Sequence, residues 1–364
     1  MRCLLYNVSV SCTFETRTAQ QNQVIYMRKP ATHLFNFIYG IIPVLVVLSM
    51  SGMAASHSAA PIGQTNATDT TDTTTLATRR INRDFNHIYQ QTFRPSFFGQ
   101  ELFQPVKTML VGDITGNFVL FSTPKSRFFF DVSARVKLRL LSTRGAPVKS
   151  PSYMPSGTLF YRLNRDTYKP KFLSLSYTHH SNGVRGPTLN PNGTFNRDSG
   201  KFSTNFYTLN FASGKRTDRS NLIINQYQNM ALEVHSGLFG TGAAFGLPGH
   251  YGWVRLNGGY MYNIAKKYND PAEPGKETVN NWQRLQFDFT YIADKYNSYS
   301  AANLKKRLNV SVKYYYQFPF MQNVSFLVGG GYRGQDDYNI FFEDSYAYLQ
   351  FGIASGLSFM FSKP

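Results

Sequence analysis

The chain alternates apolar and polar residues with a period of two, again and again, from about Phe128 to its end. Val132, Ala134, Val136, Leu138 and Leu140 interleave with Ser133, Arg135, Lys137 and Arg139. Leu285, Phe287, Phe289 and Tyr291 interleave with Gln286, Asp288 and Thr290, and Leu308, Val310, Val312 and Tyr314 with Asn309, Ser311 and Lys313. A two-residue period sends successive side chains to opposite faces, so each stretch reads as a strand with one apolar and one polar face. Ten such stretches stand out: 126–141, 156–164, 171–181, 202–212, 222–235, 252–263, 283–293, 306–318, 324–334 and 345–361. A weaker one at 117–123 and one not located by the pattern bring the expectation to twelve. The joining segments, such as 266–276 (KKYNDPAEPGK), carry turn residues.

A soluble sandwich points its apolar faces inward, whereas an outer-membrane barrel points them outward to lipid and lines its interior with the polar faces. Strand length separates the two. Soluble strands run about five or six residues, whereas spanning strands need about 9–11, and many of the runs here reach that length. Arg135, Lys137, Asp288 and Lys313 would be costly in a soluble core but suit a wet lumen. Aromatics make up 16% of the chain, with 24 Tyr and 31 Phe but 2 Trp, which fits strands and membrane interfaces. A mean hydropathy of −0.31 excludes a bundle of apolar membrane helices. The expected fold is all-β, an antiparallel transmembrane β-barrel of twelve strands over 118–364, preceded by a signal peptide and a flexible arm.

Upstream, Met27-Arg28-Lys29, the apolar run 38–50 and the small-residue tract 51–60 have the order of a secretory signal peptide over 27–60. The polar stretch 1–26 does not belong to a signal and reads as a gene-model extension. Residues 61–117 read as a Thr-rich spacer (64–78) followed by an arm of no clear period. Both cysteines, Cys3 and Cys12, precede Met27, so the exported chain would hold no disulfide and no thiolate site. The 38 Lys and Arg against 20 Asp and Glu give a net charge of +18, yet they form no basic block, and nucleic acid is not an expected partner. The expected location is the bacterial outer membrane, and the lipid bilayer the first partner.

A barrel does not specify a function. The segment 172–183, FLSLSYTHHSNG, is the informative one. His179 and Ser181 share parity with Leu173, Leu175 and Tyr177, so both are expected on the lipid face at a strand end. Residues two apart lie about 6.6 Å apart along a strand, within reach of an imidazole–hydroxyl hydrogen bond, the minimal unit for nucleophilic acyl transfer. The plainer reading is a polar strand end at the interface. His235-Ser236 does not form the same unit, because adjacent side chains point to opposite faces.

His-x-Ser-Asn-Gly at the end of a barrel strand resembles the active-site motif of the outer-membrane phospholipase A family. The resemblance, which covers about 117–215, implies a twelve-stranded barrel with a Ser–His–Asn triad on its outer surface. It implies His179 as base, Ser181 as nucleophile and the Gly183 amide as oxyanion donor. The third member is Asn205, in Ser203-Thr204-Asn205, or alternatively Asn196, in Phe195-Asn196-Arg197. Parity favours Asn205, which shares a face with Tyr207, Leu209 and Phe211. The resemblance further implies glycerophospholipid substrates, calcium as cofactor and an active homodimer. The family has Arg after the Gly, whereas here Val184 follows Gly183 and Arg185 is one place late, so no metal ligand is named.

Two other functions fit a barrel of this kind. One is a passive pore or structural barrel with an incidental His-x-Ser. The other is a barrel deacylase acting on lipid A, whose third member would be an acid, and Asp198 is the carboxylate nearest the motif in the residues that follow it.

Overall fold

The computed structural model describes residues 96–122, 126–145, 147–236, 249–269, 277–318 and 324–360, with the short pieces 3–6 and 9–12 and scattered residues elsewhere, including several of 77–92. The chain divides into two compact units, residues 1–67 and 68–364. In the first, the described residues form a two-stranded antiparallel hairpin, Cys3–Tyr6 with Ser9–Cys12, placing Cys3 opposite Cys12. The signal peptide read over 27–60 and all but the last two residues of the spacer read over 64–78 lie outside the described residues.

The second unit is a closed antiparallel barrel of twelve strands: β1 Ser96–Leu102, β2 Thr108–Ser122, β3 Phe128–Leu141, β4 Ser152–Arg162, β5 Lys171–Ser181, β6 Ser203–Arg219, β7 Leu222–His235, β8 Val254–Asn269, β9 Glu277–Ile292, β10 Leu308–Tyr316, β11 Val324–Arg333 and β12 Tyr346–Ser355. Each strand pairs with its neighbours in sequence, and β12 returns to β1 to close the ring. At that seam Gly99 lies opposite Gly352. A Cβ on Gly99 would come within 2.1 Å of the Phe351 carbonyl oxygen, and one on Gly352 within 2.2 Å of the Phe98 carbonyl oxygen, so the close approach needs glycine in both strands. A four-residue strand, β13 (Leu357–Met360), runs parallel to Gly116–Val119 of β2, beyond the short reach of β1.

The alternation read from the sequence is the alternation of the wall. Leu173, Leu175, Leu209, Phe211, Leu285 and Phe287 are among the exposed large apolar side chains, while Phe172, Ser174, His180, Thr204 and Arg284 are buried inside. Two features depart from the sequence reading. The barrel begins at Ser96, within the stretch read as an arm, and β2 starts at Thr108 instead of 117. The period is blurred in both strands: Phe97 and Phe98 are adjacent in β1, and β2 places Gly112 and Gly116 among its outward positions but Val111 and Val119 among its inward ones.

The second departure is the lumen, which carries a packed aromatic cluster towards each end. At the end with the shorter connections, the described residues Ile81, Phe85, Ile88, Tyr89 and Thr92 are helical. Their spacing puts them on one face, and Phe85, Ile88 and Tyr89 pack inside the barrel mouth against Phe129, Phe172, Tyr227 and Met261. The Tyr89 ring lies 4.2 Å from that of Phe172 and 4.9 Å from that of Phe129, and the Arg162 guanidinium sits 5.0 Å over Phe85. At the other end, the β11–β12 connection (334–345) folds inward. Tyr338, Ile340, Phe341 and Phe342 are buried with Leu141, Phe195, Phe202 and Tyr251.

Below that cap lie the charges of β3. Arg135 donates to both oxygens of Asp113, each at 2.7 Å, and to Asp337 at 2.8 Å. Lys137 pairs with Asp337, and Arg139 bridges Asp336 at 2.6 Å and Glu101 at 3.0 Å. Arg139 and Lys137 are nearly inaccessible to solvent. The charged face of β3 therefore meets countercharges from β1, β2 and the capping loop.

Candidate functional site

β5 ends at Ser181 and β6 begins at Ser203, both at the end of the barrel with the longer connections (142–151, 182–202, 236–253, 293–307 and 334–345). The β5–β6 register sets His179 opposite Asn205 and Ser181 opposite Ser203. His179 and Ser181 follow Leu173, Leu175 and Tyr177 on the outward face. On β6, Asn205 precedes Tyr207, Leu209 and Phe211 on the same face. Leu175 and Leu209 are each nearly half exposed, and Tyr177 and Tyr207 lie side by side with ring centroids 5.1 Å apart. A polar pair thus borders an apolar outer surface.

His179 Nδ1 and Asn205 Oδ1 stand 2.6 Å apart. An amide oxygen only accepts, so in this arrangement Nδ1 carries the hydrogen and Nε2 is left basic. The Asn205 side chain is fully buried, and its backbone carbonyl accepts from the Ser236 amide at 2.9 Å, tying this end of β6 to β7. On the other side of β5, Tyr153 of β4 faces Ser181. The β4–β5 pairing lapses between Tyr153↔Ser181 and Ser156↔Thr178, where Pro155 has no N–H to donate.

Asn196 is held elsewhere. Its Oδ1 accepts from the amides of Asp198 and Ser199 at 3.2 and 3.1 Å, and its Nδ2 donates to the Pro187 carbonyl and the Ser199 hydroxyl. These bonds fold the 182–202 loop on itself, the turn-forming role common to asparagine in loops. Asp198 is exposed and paired with Lys149 at 2.5 Å.

Gly183 follows the strand end at φ 69°, a left-handed conformation that glycine adopts without strain. The residue is exposed, and among the described residues its N–H donates to no backbone carbonyl. Asn182, between Ser181 and Gly183, is buried and makes four hydrogen bonds. Its amide donates to the Phe202 carbonyl at 3.1 Å, and its Nδ2 to the Gly200 carbonyl at 2.8 Å. Its Oδ1 accepts from the amides of Val184 at 3.2 Å and Phe202 at 3.0 Å.

A second histidine chain lies inside the barrel. His235 Nδ1 bonds the Thr204 hydroxyl at 2.7 Å and Nε2 bonds Glu233 at 2.8 Å. The order resembles a nucleophile, base and orienting acid, but Thr204 is completely buried and His235 nearly so, on the inward face of the barrel. The sequence reading set His235 aside for its adjacency to Ser236. Its partner, two residues before it on the same face, is Glu233.

The donor set does not match a calcium cage. Among the described residues no three histidine, cysteine or acidic side chains converge, and the carbonyls of Gly186, Pro187, Thr188 and Gly200 accept hydrogen bonds from within the loop.

No protein-family model matches the chain, and no curated protein does. Among solved structures, outer membrane phospholipase A from Escherichia coli superposes with a TM-score of 0.45 at 11% identity, over 72% of this chain and 92% of that one. An outer membrane phospholipase dimer from Salmonella typhi with bound calcium superposes with a TM-score of 0.45 at 12% identity, over 72% of this chain and 90% of that one.

Proposed function

We propose that this chain is an outer-membrane serine hydrolase that cleaves acyl ester bonds of glycerophospholipids at the outward face of its barrel. The observation that carries the reading is the His179–Asn205 hydrogen bond on the same outward face as Ser181, at the edge of an apolar surface. Exposed apolar side chains on every side of a closed barrel need lipid around them. The end bearing the site has the longer connections, the arrangement of the extracellular side in such barrels.

The chemistry runs as follows. His179 Nε2 takes the Ser181 proton as Oγ bonds to the ester carbonyl carbon. Asn205 holds the imidazole in the required tautomer through Nδ1. The Gly183 amide donates to the oxyanion. The C–O bond to the glycerol breaks, and the departing alkoxide takes the proton from His179. A water then attacks the acyl-serine, giving its proton to His179, which returns it to Ser181 as the fatty acid leaves. Acyl chains lie along Leu173, Leu175 and Leu209, so a deep pocket is not required. Calcium is assigned no step.

The aromatic clusters buried towards both ends of the lumen and the pairing of the β3 charges weigh against an open pore. The amide third member and the pairing of Asp198 with Lys149 weigh against a deacylase triad that ends in an acid.

The test is a fluorophosphonate serine probe and a phospholipid hydrolysis assay in mixed micelles, on wild type and Ser181→Ala, with lipopolysaccharide as competing substrate. Wild type is expected to be labelled and to release fatty acid from phospholipid; Ser181→Ala is expected to lose labelling and about 10³-fold or more in kcat. Unchanged hydrolysis by Ser181→Ala would overturn the reading.

A further inference from the structure

We infer that Asn182 is a positioning residue, holding the Gly183 amide where it can meet a developing oxyanion. The inference rests on the reading of Ser181 as nucleophile. Three observations carry it. First, Asn182 has the parity of the inward face, is only 4% exposed, and its side-chain hydrogen bonds go to Val184, Gly200 and Phe202 and to no triad position, so it does not act on substrate itself. Second, its side chain satisfies three separate backbone groups: the amides of Val184 and Phe202 and the carbonyl of Gly200. The last two lie at the far end of the 182–202 loop, so one side chain closes that loop at its neck. Third, the Oδ1 bond to the amide two residues on is an Asx turn. It spans Gly183 and fixes the left-handed bend at that exposed residue, two residues beyond the serine.

The geometry separates two duties of the motif. Ser181 is set by the strand ladder, through its register with Ser203 and Tyr153. Gly183 lies past the ladder and has no such constraint, since the chain there turns away from the sheet. An amide aimed by a free loop would have to be ordered in each catalytic cycle. One buried asparagine with both polar atoms of its side chain engaged provides that order in advance, and its bonds in a low-dielectric setting are strong. Aspartate keeps both acceptor contacts but puts a carboxylate oxygen against the Gly200 carbonyl. Alanine loses all three side-chain bonds.

The experiment is a double-mutant cycle between Asn182→Ala and Gly183→Ala, with kcat, KM and the fluorophosphonate labelling rate measured per folded barrel. Alanine at Gly183 is strained by the positive φ and displaces the same amide. Each single variant is expected to lose about tenfold or more in kcat and labelling rate, with KM within about twofold of wild type. The double variant is expected to be no worse than the poorer single one, because both act on one amide. Additive losses, or a kcat for Asn182→Ala within about twofold of wild type, would overturn the inference. If Asn182→Ala fails to assemble, Asn182→Asp carries the same cycle under the same criterion, with a smaller single loss. Ser181→Ala separates the two failures: when it is inactive while the cycle is additive, only the role of Asn182 is lost; when it is active, the hydrolase reading goes with it.

Discussion

Asn205 and Asn196 differ by nine positions and by everything around them. One accepts from an imidazole across a strand pair; the other ties a loop to itself. The expected outcome is correspondingly unequal. Asn205→Ala lowers kcat on the order of 10²-fold, because the imidazole loses the partner that sets its tautomer. Asn196→Ala leaves kcat within a few-fold and costs about 1 kcal/mol of stability through lost turn bonds. Steady-state kinetics and urea unfolding of both variants check this, and equal kinetic defects would contradict it. Parity alone pointed to Asn205, since position 205 shares a face with Tyr207 and Leu209 and position 196 sits on no strand. What parity could not supply was the partner of Asn182: its bonds reach Gly200 and Phe202, positions that only the closed loop brings near.

At the scale of elements, the strands with one clean face were readable and the others were not. β3, β9 and β10 alternate without exception over their central residues. β1 and β2 escaped because phenylalanines, valines and glycines stand on faces where the simple rule puts something else. The helical segment within 77–92 was readable at a different period: Ile81, Phe85, Ile88 and Tyr89 recur at three- and four-residue spacing, but the search there was for a period of two. This segment is held by aromatic packing, so Phe85→Asp with Tyr89→Asp is expected to release it. The two rings contribute about 3 kcal/mol or more each when fully buried. Limited proteolysis of the detergent-solubilised protein should then cut within 77–92 while the barrel stays resistant. Continued protection of the segment would show that something other than these rings retains it.

At the scale of the whole molecule, the lumen holds buried aromatic clusters towards both ends, an arrangement the alternation could not reveal. A polar face looks the same in sequence whether it lines water or meets countercharges. The charges that meet β3 come from β1, β2 and from Asp336 and Asp337, two hundred residues away in sequence. Asp337 carries a consequence for pH. Burial opposes its ionisation, but Lys137 and Arg135 more than offset this and hold its carboxyl well below the ordinary carboxylate range. A depressed carboxylate contributes stability that is complete above its unfolded pKa of about 4 and is lost as pH falls through the lower folded value. The cap formed by 334–345 is therefore expected to stay seated at pH 5 and to loosen only well below pH 4. In planar bilayers the protein should show no steady conductance from pH 7 to pH 5. Channel opening within that interval would refute the assignment of Asp337 as a principal fastening of the cap.

The paired glycines at the β12–β1 junction have one more implication. Ten of the neighbouring strand pairs grow as local hairpins, β1 and β2 form another, and each joins strands that follow one another in sequence. Joining residue 99 to residue 352 is different: it gathers nearly the full length of the sheet into a single closure. The entropic cost of ring formation is concentrated there, and until that zipper shuts, two raw edges face the bilayer with their amides unsatisfied. Assembly of this protein thus has a natural last event, and its two bare backbones are what let the edges come close enough to finish it.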